Sequence, residues 1–274
     1  MTHALSRALD TVLDRAVVPG YTRIGYRLRR AAWEDGDPAP DALRDKVGVV
    51  TGAGSGLGKA AATSLARLGA SVHVVVRDLA KGRDAVSEIR GEVPGAEVEL
   101  HGCDVSDLSS VRAFAAALRK SVERVDVLVH NAGTMPPERT ETSDGHEVAY
   151  ATHVLGPVLL TELLRPVLAA AGTSRVVVVS SGGMYAQRIP VQDPEFTEGE
   201  YAGTVTISGQ LASGFLLARC REDQRRPNWR RRGAIVRSAR AVQRASRGAE
   251  GSSVRRGLRG EGASACAICV SSGV

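Results

Sequence analysis

The chain has 274 residues, enough for one large α/β domain with a substantial core or for two small domains. Its four cysteines, Cys103, Cys220, Cys266 and Cys269, are too few and too scattered for a disulfide framework, which fits a reducing, cytoplasmic setting. The formal charge of +6 is unevenly placed: from Thr204 onward fourteen Arg face four acids, a net of +10, so residues 1–203 carry −4. The best apolar run, Val154 to Gly172, is interrupted by Glu162 and Arg165, and Asp10 and Asp14 interrupt the N-terminus. Neither a membrane span nor a signal peptide is therefore expected.

Residues 1–44 read as an N-terminal arm. Leu5, Leu9, Val12, Leu13, Ala16 and Val17 recur at helical spacing until Pro19-Gly20 stops the pattern. A basic segment with Tyr21, Tyr26 and Trp33 follows, and then the break Asp37-Pro-Ala-Pro40. The arm packs on the main domain or offers a weak surface to a membrane or partner through Arg23, Arg27, Arg29 and Arg30. The narrow apolar face favours packing.

Residues 45–205 alternate regularly. Strands are expected at Val47–Val50, Val72–Val76, Val98–His101, Val125–His130 and Val176–Val179. Helices are expected at Gly56–Leu68, Ala80–Ile89, Leu108–Ser121 and Glu147–Leu168. Continuous Val/Leu runs between amphipathic helices imply parallel strands covered on both faces, a doubly wound, Rossmann-like α/β fold. From 206 to 274 Arg, Ala, Ser and Gly dominate. A helix over Leu211–Cys220 and strands at Ala234–Val236 and Ala265–Val270 are the remaining candidates. Arg221–Gly262 lacks the apolar residues that offset chain entropy and is expected to be poorly ordered.

Thr51-Gly-Ala-Gly-Ser-Gly-Leu-Gly58 lies between the first strand and its helix. Glycines there let the backbone approach a pyrophosphate, and the helix N-terminus offers it free N–H groups. Gly52, Ser55, Gly56, Leu57 and Gly58 are the candidate phosphate-side residues. The second strand ends in Val76-Arg77, where Arg77 can pair with a ribose 2′-phosphate, so NADP is favoured over NAD.

The glycine pattern resembles the fingerprint Thr-Gly-x-x-x-Gly-x-Gly of the short-chain dehydrogenase/reductase family. Further matches follow the third, fourth and fifth strands in order: Cys103-Asp104-Val105, Asn131-Ala132-Gly133 and Val179-Ser180-Ser181. The arm, with Asp14-Arg15 and Val18-Pro-Gly-Tyr21, is similar to the branch of that family containing dehydrogenase/reductase member twelve. The resemblance covers about Ala8 to Val205. It implies a hydride transfer between NADP(H) and a small carbonyl or alcohol, with Asp104 and Val105 at the adenine, Asn131, Ala132 and Gly133 along the cofactor, and Ser181 on the substrate oxygen.

The same resemblance implies a Tyr-x-x-x-Lys pair that this chain lacks. Its Lys residues are Lys46, Lys59, Lys81 and Lys120, and none follows Ser181. Tyr201-Ala-Gly-Thr204 matches the segment before the catalytic Tyr in that branch, and counting on puts Ile207 and Leu211 at the Tyr and Lys positions. Neither can move a proton. Tyr185 and Tyr201 are the only tyrosines after Ser181. His153 stands where the family has an Asn that supports the Lys through water; it could hydrogen-bond there, pack, or be solvated.

Cys266-x-x-Cys269 has a ligand-like spacing, but without a second pair no metal is expected. Trp229-Arg-Arg-Arg232 looks like a nucleic-acid patch outside any recognisable binding fold, so specific nucleic-acid binding is not expected. Three readings stand: an active oxidoreductase, a cofactor-binding relative without catalysis, and a binding protein using its basic tail on nucleic acid or acidic membrane. The second would arise by divergence or by a shifted reading frame beyond about Val205.

Overall fold

The structure is a computed structural model and describes residues 27–28, 38–39, 41–181, 193–198, 201 and 265–273. Apart from Arg27 and Leu28, which are helical, and short pieces near residue 40, the N-terminal arm lies outside these residues. So do Leu211–Cys220, Ala234–Val236 and Arg221–Gly262.

The described elements are β1 (Val47–Thr51), α1 (Gly56–Arg67), β2 (Ser71–Val76), α2 (Leu79–Glu92), β3 (Val98–Gly102), α3 (Leu108–Ser121), β4 (Val127–His130), α4 (Val148–Ala170), β5 (Thr173–Ser181) and β6 (Ala265–Gly273). The sheet order is β3-β2-β1-β4-β5-β6. The first five strands are parallel, and β6 runs antiparallel to β5. The expected doubly wound sheet is present, with the strand foreseen at Ala265–Val270 as its outer member.

Alternation along each strand sends neighbours to opposite layers. Val49 and Val75 pack with Val111, Phe114, Leu118, Leu160 and Leu164 beneath α3 and α4. Val50, Val72 and Val74 pack with Ala62 and Ile89 beneath α1 and α2. Leu160 and Leu128 are fully buried, each contributing roughly 1.5–3 kcal/mol by leaving water. Asp78 and Asp107 cap α2 and α3 by accepting the amides two and three residues on. Helix α4 reaches the length and hydropathy of a membrane span at 23 residues, more than the apolar run suggested, yet most of it is buried against the protein.

β4 starts at Val127 rather than Val125, and of the two preceding residues only Val125 turns its N–H away from the neighbouring strands. Val125 N donates to Val167 O, and Asp126 N to Val47 O. The Asp126 carboxylate is buried at 4% exposure and faces Lys46 Nζ at 3.0 Å and Arg124 Nε at 3.4 Å, while Val47 N donates to it at 3.0 Å. This buried charge is therefore paired, as burial requires. It joins the starts of β1 and β4.

At the other end of β4, His130 is buried with Nε2 2.8 Å from Thr161 Oγ1 of α4, and its Nδ1 has no partner. Burial pushes its pKa down to about 3. The unfolded chain therefore takes up a proton below about pH 6.5 that the native chain refuses, so stability falls as the pH drops from about 6.5 toward 3. Between pH 7.5 and pH 5 this residue alone should remove about 2 kcal/mol. Urea unfolding at the two pH values should show that much less loss in His130→Asn than in the wild type; equal losses would contradict the assignment.

Candidate functional site

β1 ends at Thr51, and the chain turns through Gly52 to Ser55 into α1. Thr51 Oγ1 accepts the backbone N–H groups of Asn131 at 3.1 Å and Ala132 at 3.2 Å and stands 3.3 Å from Val129 O, to which it donates. The Asn131 side-chain amide donates back to Thr51 O and Gly52 O, at 3.1 and 3.2 Å. The carboxyl ends of β1 and β4 are thus locked together. Gly52 has φ +67°, and a Cβ there would come within 2.7 Å of Ala132 Cα. A Cβ on Gly58 would lie 2.3 Å from Gly52 O and 2.4 Å from Asn131 Nδ2. Any larger residue at either position would force turn, helix and β4 apart.

Ser55 flanks the start of α1 in an extended conformation without a side-chain cap, and the first turn carries no acid. The first amides of α1 are left for an external acceptor, unlike those of α2 and α3. Ser55, at the N-terminus of α1, lines a cleft of about 390 Å³ at the carboxyl edge of the sheet. Gly52, Ser55, Asn131, Ala132 and Gly133 line one side of it, and Arg77, Asp104 and Val105 the other. Gly56, Leu57 and Gly58, also expected at the cofactor, are not among its lining residues: Gly56 supplies a positive φ of 55°, Leu57 projects into solvent, and Gly58 packs under the turn. Gly56 and Gly58 shape the turn, while the three residues supply the backbone N–H groups at the uncapped start of α1.

The far side of the cleft carries charge. Asp104 Oδ1 accepts from Ser106 N at 2.9 Å and Ser106 Oγ at 2.7 Å, and Oδ2 lies 4.0 Å from Arg77 Nη1. Arg77 is 77% exposed, so this loose pair holds it by no more than about 1 kcal/mol and leaves its guanidinium available. Lys81, four residues on in the first turns of α2, lines the same cleft. Sequence reading missed it, although a helix starting just after Arg77 returns position 81 to the strand end. Cys103 also lines the cleft, and burial pushes its thiol up to about 11, which removes it as a nucleophile at neutral pH.

Ser181 is the last residue of β5, at the same edge of the sheet. Two phenols stand near α4 among the described residues, Tyr150 and Tyr201. Glu147, 1% exposed, caps α4 by accepting Ala149 N at 2.9 Å and Tyr150 N at 2.6 Å, and it accepts the Tyr201 hydroxyl at 3.2 Å. Burial, with the negative charge of Glu147 beside it, pushes Tyr201 up to about 12; burial also pushes Tyr150 up to about 12. An acid–base working at neutral pH needs the opposite shift. Tyr185, Ile207 and Leu211 lie outside the described residues.

His153 is not solvated. It sits in a π turn of α4, Ala151–Leu155, with Nε2 donating to Thr134 O at 2.7 Å, and burial lowers its pKa. The wide turn ties α4 to the segment that follows Gly133.

The short chain dehydrogenase family matches residues 46–190. The chain belongs to that family. It is 37% identical over 192 residues to dehydrogenase/reductase SDR family member 12 of Bos taurus, covering 69% of this chain and 59% of that protein. It is 40% identical over 171 residues to retinol dehydrogenase 12 of Homo sapiens, covering 62% and 54%. The chain thus spans little more than half the length of these curated relatives. Among solved structures, an uncharacterized protein from Mycobacterium paratuberculosis is 30% identical with a TM-score of 0.59, covering 82% of this chain and 81% of that one. A metagenomic short-chain oxidoreductase in complex with NADP is 29% identical with a TM-score of 0.53, covering 67% and 78%.

The Tyr201–Glu147 contact is structural. Tyr201→Phe should lower unfolding stability by about 1–2 kcal/mol through loss of a hydrogen bond to a buried carboxylate, while nicotinamide-nucleotide binding stays unchanged. An unchanged urea midpoint would contradict this role.

Proposed function

We propose that this chain binds NADP(H) in the cleft at the ends of β1 and β4, and that as written it transfers hydride at or near background. The pyrophosphate lies against the uncapped N-terminus of α1, and the 2′-phosphate pairs with Arg77. The observation that carries the cofactor reading is the glycine turn locked to Asn131, open above the first amides of α1. The NADP-bound metagenomic relative, whose sequence is 29% identical, supports the choice of cofactor.

The chemistry of the family is hydride exchange with a carbonyl or alcohol, and the retinol dehydrogenases among the relatives support that substrate class. When bound, the nicotinamide supplies the hydride. Ser181 polarises the substrate oxygen, and a proton must reach that oxygen as the alkoxide develops. A phenol does this at neutral pH only when a cation lowers its pKa by about three units, roughly 4 kcal/mol. No Lys follows Ser181, and Tyr201 is shifted the wrong way. Losing general acid–base help costs about 10²–10⁴ in rate.

A shift of reading frame near codon 204 is the second reading. It is favoured by the change from a net −4 before that point to +10 after it. Translation of the coding DNA in the other two frames should then reveal a Tyr-x-x-x-Lys; absence of the pair in both leaves divergence as the cause.

NADPH should bind more tightly than NADH by fluorescence titration, and Arg77→Asp should weaken NADPH about 10–100-fold, the value of one charge-assisted hydrogen bond or two. Equal wild-type affinities would overturn the preference. Carbonyl reduction with NADPH should stay near background. Robust turnover abolished by Ser181→Ala would overturn the inactive reading and point to Tyr185.

A further inference from the structure

At the β3 edge of the described sheet, β2 and β3 bring together three side chains of ligand type. The parallel register pairs His73 with Glu99 and Val75 with His101. Residues two apart in a strand share a face, so His73, Glu99 and His101 all lie on the α3 side, where the His101 ring stands 5.4 Å from Phe114. His73 Nδ1 is 2.8 Å from His101 Nε2. Glu99 offers Oε2 to His73 Nδ1 at 3.6 Å and Oε1 to His101 Nε2 at 3.5 Å.

The side chains of His73 and His101 are only 4% and 14% exposed, while Glu99 is 59% exposed. Two ligand nitrogens are thus held inside, and the third group stands at the entrance. One shared proton accounts for the contact between the two rings. It does not account for the carboxylate, which converges on the same two nitrogens at a distance too long for a good hydrogen bond. Ligand atoms around a tetrahedral zinc ion with bonds of about 2.0–2.1 Å stand roughly 3.3–3.4 Å apart. The two nitrogen–oxygen distances already approach that value, and the rings need to part by only about 0.5 Å.

We propose that His73, Glu99 and His101 form a binding site for a divalent ion of the zinc type, with water in the fourth position. Two imidazoles and one carboxylate are a donor set suited to that ion. The ion clasps edge strand β3 to β2. Two residues beyond His101 the same strand delivers Cys103 and Asp104 to the cleft, so the clasp also steadies that wall. No motif marks the site in the sequence, because its ligands come from two strands and only their register unites them.

The 274-residue chain should bind one equivalent of Zn²⁺ in competition with a chromogenic chelator. His73 is buried and its replacement could unfold the protein, so the variants are Glu99→Gln and His101→Gln, each expected to weaken binding at least about tenfold. Zn²⁺ should raise the melting temperature of the wild type and not of these variants. Co²⁺ in the same site should show no thiolate charge-transfer band, and Cys266→Ser with Cys269→Ser should leave binding intact. Absence of stoichiometric binding, binding undiminished in both cluster variants, or a thiolate band lost with the two cysteines would overturn the proposal.

Discussion

One hydroxyl and one carboxamide hold the carboxyl ends of β1 and β4 together. Thr51 Oγ1 takes two backbone amides from the β4 side, and Asn131 Nδ2 gives both its protons to carbonyls on the β1 side. The strand order β3-β2-β1-β4-β5 makes this the place where the chain changes direction across the sheet. The loops leaving β1 and β4 therefore run to opposite faces and open a crevice between them. Every other feature of the cleft follows from that junction. Gly52 is needed because Ala132 leaves no room, and Gly58 because α1 must rise directly over the turn. With α1 so placed and its first amides uncapped, the crevice has one electropositive wall.

Buried carboxylates govern the opposite side of the molecule's chemistry. Glu147 caps α4, receives the Tyr201 hydroxyl, and is itself anchored where Glu195 Oε2 accepts its backbone N–H at 3.1 Å. Negative charge beside a phenol and burial both favour the protonated form. The same node that secures α4 thus makes Tyr201 a weaker acid than free tyrosine. Among the described residues, neither Tyr150 nor Tyr201 is shifted toward proton transfer at neutral pH. In the proposed reading, binding and catalysis part company at this point.

The sheet was legible because each strand is a near-continuous Val/Leu run, and parallel strands buried on both faces need nothing else. The α1 turn was legible because its glycines answer to backbone geometry alone. What stayed hidden depends on partners distant in the chain. Asp126 and Glu147 look like surface acids in a sequence, and only the fold shows the cations and amides that pay for their burial. The π turn at Ala151–Leu155 left no mark on the apolar periodicity, since the His153–Thr134 bond belongs to a tertiary contact. Lys81 fell outside the glycine and strand-end motifs although it faces the same cleft as Arg77. His73, Glu99 and His101 read as unrelated polar residues until the register of β2 against β3 placed them together.

The central claim is that the junction of β1 and β4 is the dinucleotide site. Amide hydrogen exchange, read by mass spectrometry with and without saturating NADPH, tests it most directly. The account predicts added protection confined to peptides spanning 51–58, 77–81, 103–105 and 131–134, with the amides at the start of α1 most affected. Unchanged exchange in 51–58 and 131–134, or protection concentrated elsewhere in the chain, would contradict it.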